Sequence, residues 1–242
     1  MNIKCFIMKN PMRFLWLILA LTGVLVVTSS CNKDDDDQTP QFFHVDSNGY
    51  SNMNRNQLQL YLNTLPLQSL SATEEASLLF MREEEKLAHD IYTELHNKYP
   101  LQVFANIANS EQTHTEAVLL LLDRYTLTDP ALNKGIGEFA NPDLQALYNT
   151  LLTRGLQSEI EALKVGALVE EVDIADLKVQ LAEKVDNQDI TMVYENLMKG
   201  SRNHLRAFVK NLSVRGVTYL PEVLSLTDYN EIIDSGMETG RN

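Results

Sequence analysis

From residue 71 to about residue 212, apolar side chains recur at steps of three and four, the signature of amphipathic helices. Ser71 and Glu74 fit a capping box at the start of a first helix, which runs to about Tyr99 and stops at Pro100. The spacing predicts a second helix from about Gln102 to Tyr125, ahead of Asp129 and Pro130. Asn141 and Pro142 open a short helix that Gly155 ends. A third long helix is expected from Ser158 to Val169 and on to Glu183, with a bend at "EEVDIADL", whose Val, Asp and Ile are weaker helix formers. A fourth runs from about Asp189 to Asn211. The pattern predicts an all-α fold: a four-helix bundle over residues 71–212 with a short extra helix in the crossover. Residues 31–70 read as an acidic and polar tether in which "LQLYLNTLPLQSL" is open to a short helix or a strap along the core, and residues 213–242 as a C-terminal strap.

Each apolar seam is broken near its middle. The first reads Leu78, Met81, Glu85, Ala88, Tyr92, Leu95. The second reads Phe104, Ala108, Glu111, His114 or Thr115, Val118, Leu121 or Leu122. The third reads Leu156, Ile160, Leu163, Ala167, Glu170 or Glu171, Ile174, and the fourth Ile190, Tyr194, Leu197, Ser201, His204, Phe208. One polar side chain on an apolar face is usually a hydrogen-bonded core residue. Four breaks that packing brings to one level are a different matter. An unpaired buried charge costs several kcal/mol, against about 5–15 kcal/mol for a whole domain. The seams offer no Arg or Lys at that level, so protons, water or a cation must balance the carboxylates. Glu111 and His114 lie three apart, about 60° around the helix, and can face the same cation.

The N-terminus carries a different signal. Lys4, Lys9 and Arg13 precede an apolar run from Phe14 to Val27, then Thr28, Ser29, Ser30 and Cys31. This is the layout of a secretory signal over residues 1–30, and its apolar run falls short of the roughly 20 residues that span a bilayer. Cys5 would leave with the signal, and Cys31 resembles the lipidation site of a bacterial lipoprotein. The expected location is the cell envelope, lipid-anchored to the outer membrane on its periplasmic or surface face. The signal takes three basic residues and no acidic ones, leaving 17 Lys+Arg against 33 Asp+Glu, a net charge of −16. Such a surface excludes nucleic acid as a partner and suits cations.

The chain resembles a known family in the quoted seams. "EKLAHDIY" (Glu85 to Tyr92) is similar to the first-helix pattern of rubrerythrin-type ferritin-like proteins, and "EQTH" (Glu111 to His114) to their second-helix ExxH. "GALVEEVDI" and "GSRNHL", with the preceding "VYENL", resemble the third and fourth helices of an uncharacterised ferritin-like family, a domain of unknown function. The resemblance covers roughly residues 73–212 and implies a ferritin-like four-helix bundle. It implies a metal site of Glu85, Glu111, His114, Glu171 and His204, with Glu170 as the rival of Glu171. Tyr92 and Ser201 would stand just behind those ligands. The implied cofactor is iron, manganese or zinc, as one or two ions. Ser201 occupies the position three before His204, where di-iron proteins of this type carry a carboxylate, so the set is short by one.

Two functions compete. One is an exported ferritin-like lipoprotein binding a transition metal, with oxidase or peroxidase activity open to it and homodimerisation as a possible assembly. The other is a non-enzymatic surface lipoprotein, a helical binding or structural module with a relict metal site. No CxxC pair provides a rubredoxin-type electron donor, and no GxSxG elbow supports a hydrolase.

Overall fold

The computed structural model describes residues 42–46 and 50–239. The expected signal over residues 1–30 and the expected lipidation site Cys31 lie outside the described residues. The fold is all-α apart from one small hairpin, β1 (Phe43–Val45) and β2 (Ser51–Met53), paired antiparallel with Phe43 opposite Met53 and Val45 opposite Ser51. The helices are α1 (Arg55–Leu62), α2 (Ala72–Lys98), α3 (Gln102–Arg124), α4 (Pro142–Gly155), α5 (Glu159–Glu183), α6 (Gln188–Ser213) and α7 (Leu226–Asp234).

Local chemistry sets the helix ends. Ser71 and Glu74 form the reciprocal capping box of α2. Asn141 accepts from the Asp143 and Leu144 amides with Pro142 in the first turn of α4, and Ser158 caps α5. The bend expected at "EEVDIADL" does not occur, because α5 runs unbroken from Glu159 to Glu183. There, tertiary packing overrides weak propensity: every residue from Val165 to Ile174 is buried. Leu156, read as part of the third seam, instead caps the C-terminus of α4 and is exposed.

Helix α2 packs on α3, α5 packs on α6, and contacts of α3 with α6 and of α2 with α5 close the set. Two apolar clusters make the core. One holds Ile91, Tyr92, Phe104, Ile107, Leu163, Leu168 and Phe208. The other holds Leu78, Met81, Val118, Leu121, Leu177, Ile190, Tyr194 and Leu197. Helices α2 and α6 pass from the second cluster to the first, whereas α3 and α5 pass from the first to the second. The successive long helices α3 and α5 therefore run the same way. The link over residues 125–158 must travel back along the bundle, and it carries α4, which packs on α2 and α5.

The tether reading fails for the hairpin at residues 42–53, while α1 runs into the stretch read as open to a short helix. The hairpin and α1 both lie against α3, with Phe43, Val45, Met53, Leu58 and Leu62 buried. Their apolar positions, too few to announce a strand pair in sequence, are enough to dock it. The C-terminal tail returns along the bundle, burying Tyr219, Tyr229 and Ile232 in the first cluster.

Candidate metal centre

The two clusters are separated by a layer of buried polar side chains. Glu85 comes from α2, Glu111 and His114 from α3, Glu170 from α5 and His204 from α6, and none is more than 2% exposed. Helical spacing brings Glu111 and His114 onto one side, and His114 Nδ1 lies 2.9 Å from Glu111 Oε2. The same Nδ1 is 3.4 Å from Glu85 Oε2. Across the layer, His204 Nδ1 lies 2.8 Å from Glu111 Oε1 and 3.5 Å from Glu170 Oε2.

Two triads result, Glu85–Glu111–His114 and Glu111–Glu170–His204, each with ligand atoms within 4.8 Å of one another. Glu111 belongs to both. The two imidazoles stack, with ring centroids 5.5 Å apart. Glu85 Oε1, Glu111 Oε1 and His204 Nδ1 are buried without an aligned hydrogen-bond partner among the described residues. Glu111 Oε1 and His204 Nδ1 are thus close but not bonded to each other, as expected of donors that converge on a third atom.

The electrostatics follow from this placement. Burial works to raise Glu111, but His114 and His204 outweigh it and hold the carboxyl well below the usual range. Burial pushes Glu85 up to about 7 despite its contact with His114. Burial also raises Glu170, with His204 opposing. Burial alone would lower the two histidines. Glu111 together with Glu85 outweighs it at His114, raising that ring well above its ordinary value, and Glu111 together with Glu170 raises His204 to about 9.

The structure separates the two third-helix candidates. Glu170 faces the layer and accepts from the Tyr92 hydroxyl at 2.5 Å. Glu171, the favoured residue on sequence, is turned away. Its Oε1 accepts from the Tyr219 hydroxyl at 2.5 Å and the Glu222 amide at 3.1 Å. Its Oε2 accepts from the Val223 and Leu224 amides, each at 2.8 Å. Neighbouring residues on a helix diverge by about 100°, so one carboxylate reaches the layer while the other pins the C-terminal strap.

Sequence reasoning missed three other contributors. Asp173, one turn beyond Glu170, bonds to Ser201 Oγ, and burial followed by the charge of Glu85 raises it well above its ordinary value. Ser201 also donates to the Leu197 carbonyl at 2.9 Å. Glu84 is raised by burial and by Asp176 and Asp173 beside it. Ser51 of β2 reaches His114 Nε2 at 2.7 Å and His204 Nε2 at 3.2 Å. The i+3 spacing of Glu170 and Asp173 was a legible signal; no local pattern announced Ser51.

Residues 74–236 match the family described as "Uncharacterized protein domain (DUF2202)". The chain is 53% identical over 182 residues to the uncharacterized protein MJ0754 of Methanocaldococcus jannaschii, spanning 75% of this chain and 98% of that protein. The crystal structure of the hypothetical protein MJ0754 from Methanococcus jannaschii superposes with a TM-score of 0.70 over 72% of this chain and 99% of that one. With its family match extending over more than half its length, the chain belongs to the DUF2202 family.

Proposed function

We propose that this protein binds a transition metal between the four long helices of a ferritin-like bundle. Glu85, Glu111 and His114 would hold one ion, and Glu111, Glu170 and His204 a second. The observation that carries this reading is the sharing of Glu111 by two buried carboxylate–imidazole triads. The donor set of carboxylate oxygens and imidazole nitrogens suits iron, manganese or zinc. Its unbonded, converging atoms fit a cation better than a self-satisfied polar core. Bound iron or manganese would supply redox chemistry, and zinc a Lewis acid. The chain's own residues hold the ligands in register: Tyr92 fixes Glu170, and the packing of four helices excludes water from the layer.

Elemental analysis of the purified protein tests the reading, with Glu111→Gln as the control. Bound iron, manganese or zinc in the wild type and its loss in the variant are expected. A wild type that takes up none of the three, even on reconstitution, refutes the proposal. Ferrous-iron oxidation and peroxide consumption by the iron-loaded protein assay the enzymatic extension.

The N-terminal segment supports export to the cell envelope, with residues 1–30 as the signal and Cys31 as the lipid attachment point. No helix among the described residues is long and apolar enough to cross a membrane. Cys31→Ala should release the protein from membranes or block its processing. Retention of the variant on the membrane with an intact N-terminus would show a transmembrane anchor instead.

A further inference from the structure

The hairpin ahead of the helices supplies the one described contact to the outer nitrogen of both layer histidines. Strand alternation places Ser51 on the same inward face as Phe43, Val45 and Met53. It is the polar member of that face and only 3% exposed. Its hydroxyl lies 2.7 Å from His114 Nε2 and 3.2 Å from His204 Nε2. Each ring turns Nδ1 toward the carboxylates, and Nε2 carries the N–H that faces Ser51 both when the ring is doubly protonated and when Nδ1 would ligate an ion. A hydroxyl oxygen has two lone pairs and can accept from both. Its own proton has solvent within reach, because Ser51 also lines an open polar cavity of about 310 Å³ beside Tyr50, Asn52 and Asn106.

A second feature of the backbone serves the same contact. Gly200 of α6 sits directly under it. A Cβ there would stand 2.6 Å from His114 Cε1, 2.8 Å from His114 Nε2 and 2.9 Å from Ser51 Oγ. The absence of a side chain at residue 200 gives the imidazole and the serine their place. The hairpin itself is fastened to α3 by the Met53 amide, which donates to Thr113 Oγ1 at 3.1 Å.

We infer that Ser51 is a positioning residue of the metal centre, holding His114 and His204 in the orientation that presents both Nδ1 atoms to the ions. The inference rests on the metal-binding reading and extends the centre to a segment outside residues 74–236, which match the family. The general physics is that a partner on the far nitrogen fixes the tautomer and aim of a ligating imidazole, and its loss weakens metal binding by about 10–100-fold.

The test compares wild type and Ser51→Ala in the full chain. Cobalt(II) affinity is read by titration, and the histidine Nε2–H signals of the metal-free protein are read by long-range proton–nitrogen NMR. The expected result is an affinity about 10–100-fold weaker, with the two Nε2–H signals broadened by exchange and the helical circular dichroism unchanged. Equal affinity and unchanged histidine signals in the variant would overturn the role of Ser51 while leaving the metal reading intact. A wild type that binds none of cobalt, iron, manganese and zinc would sink the metal reading itself, and this inference with it. Should Ser51→Ala not fold, Gly200→Ala presses on the same contact from the helix side. It must then weaken cobalt binding and disturb the His114 signal, and wild-type behaviour would overturn the inference.

Discussion

Exchanging one oxygen of Glu171 for an amide nitrogen separates the two adjacent carboxylates of α5 by experiment. In the wild type, Glu171 collects four donors, two on each oxygen, and all come from residues 219–224. In Glu171→Gln, two of these donors meet an NH2 group, and the other two keep only a neutral acceptor. Hydrogen bonds to a charged group contribute about 1.5–3 kcal/mol each. Losing two removes up to about 6 kcal/mol and weakening two about 2–3 kcal/mol more, a ceiling of about 9 kcal/mol that rehydration of the freed amides lowers to about 3–5 kcal/mol. Tyr219, Tyr229 and Ile232 still bury their side chains, so the damage should stay within the strap. Urea unfolding gives the total, and hydrogen exchange at the amides of Glu222, Val223 and Leu224 gives its location. Metal content should not change. Glu170→Gln should do the reverse, losing metal while those amides stay protected. A Glu171→Gln protein that loses metal beside a Glu170→Gln protein that keeps it would refute the assignment.

Three further outcomes follow from the same geometry. The metal-free protein should be most stable on the mildly acidic side of neutrality. Glu85 at about 7 and His204 at about 9 both bind protons more tightly than in the unfolded chain, so their contributions are lost as pH rises through those values, while depressed Glu111 loses its contribution as pH falls below the ordinary glutamate range; a melting temperature that climbs from pH 5 to pH 9 would contradict this. Metal loading near pH 6 should expel about four protons per pair of ions, read by titration in buffers of different ionisation enthalpy, and release of none would mean the layer does not ligate. Gly166→Ala should cost about 1–3 kcal/mol, since the added Cβ would stand 2.4 Å from the Phe208 ring, which packs on Tyr92 and Phe104; an unchanged melting temperature would show that the ring moves freely.

The sequence made most of the layer legible because α2, α3 and α6 each have a polar face. On such a helix an apolar seam has a definite direction, and a Glu or His within it is conspicuous. Glu85, Glu111, His114 and His204 were found that way. Helix α5 offers no such contrast: from Val165 to Ile174 it is buried on every side, so its seam could not choose between Glu170 and Glu171. Both are buried to within about a percent of each other, and only the position of a strap some fifty residues away decides between them. Ser51 was illegible for a related reason. Its strand has three residues, too few for alternation to register, and its partners lie 63 and 153 residues away.

The layer takes no carboxylate from α6, yet it is not short of charge. Ser201 stands where a fourth-helix carboxylate was expected, and Asp173 reaches it from α5. The layer then holds Glu85, Glu111, Glu170 and Asp173 against His114 and His204. With every group ionised, four carboxylates and two imidazolium rings leave two uncompensated negative charges in a buried space, which the fold cannot sustain. Two protons remove the excess. The upward shifts of Glu85, Glu170 and Asp173 mark the three groups that share these two protons, while Glu111, held between both imidazolium rings, stays ionised. Two divalent ions with neutral imidazoles also bring the sum to zero, whereas one such ion with neutral imidazoles does not. The protonated and doubly loaded states are therefore both electrically balanced, each ion would displace two protons, and a singly loaded layer would balance by keeping two. The shared position of Glu111 would give that exchange its structural basis, because the carboxylate held between the two imidazoles belongs to both triads.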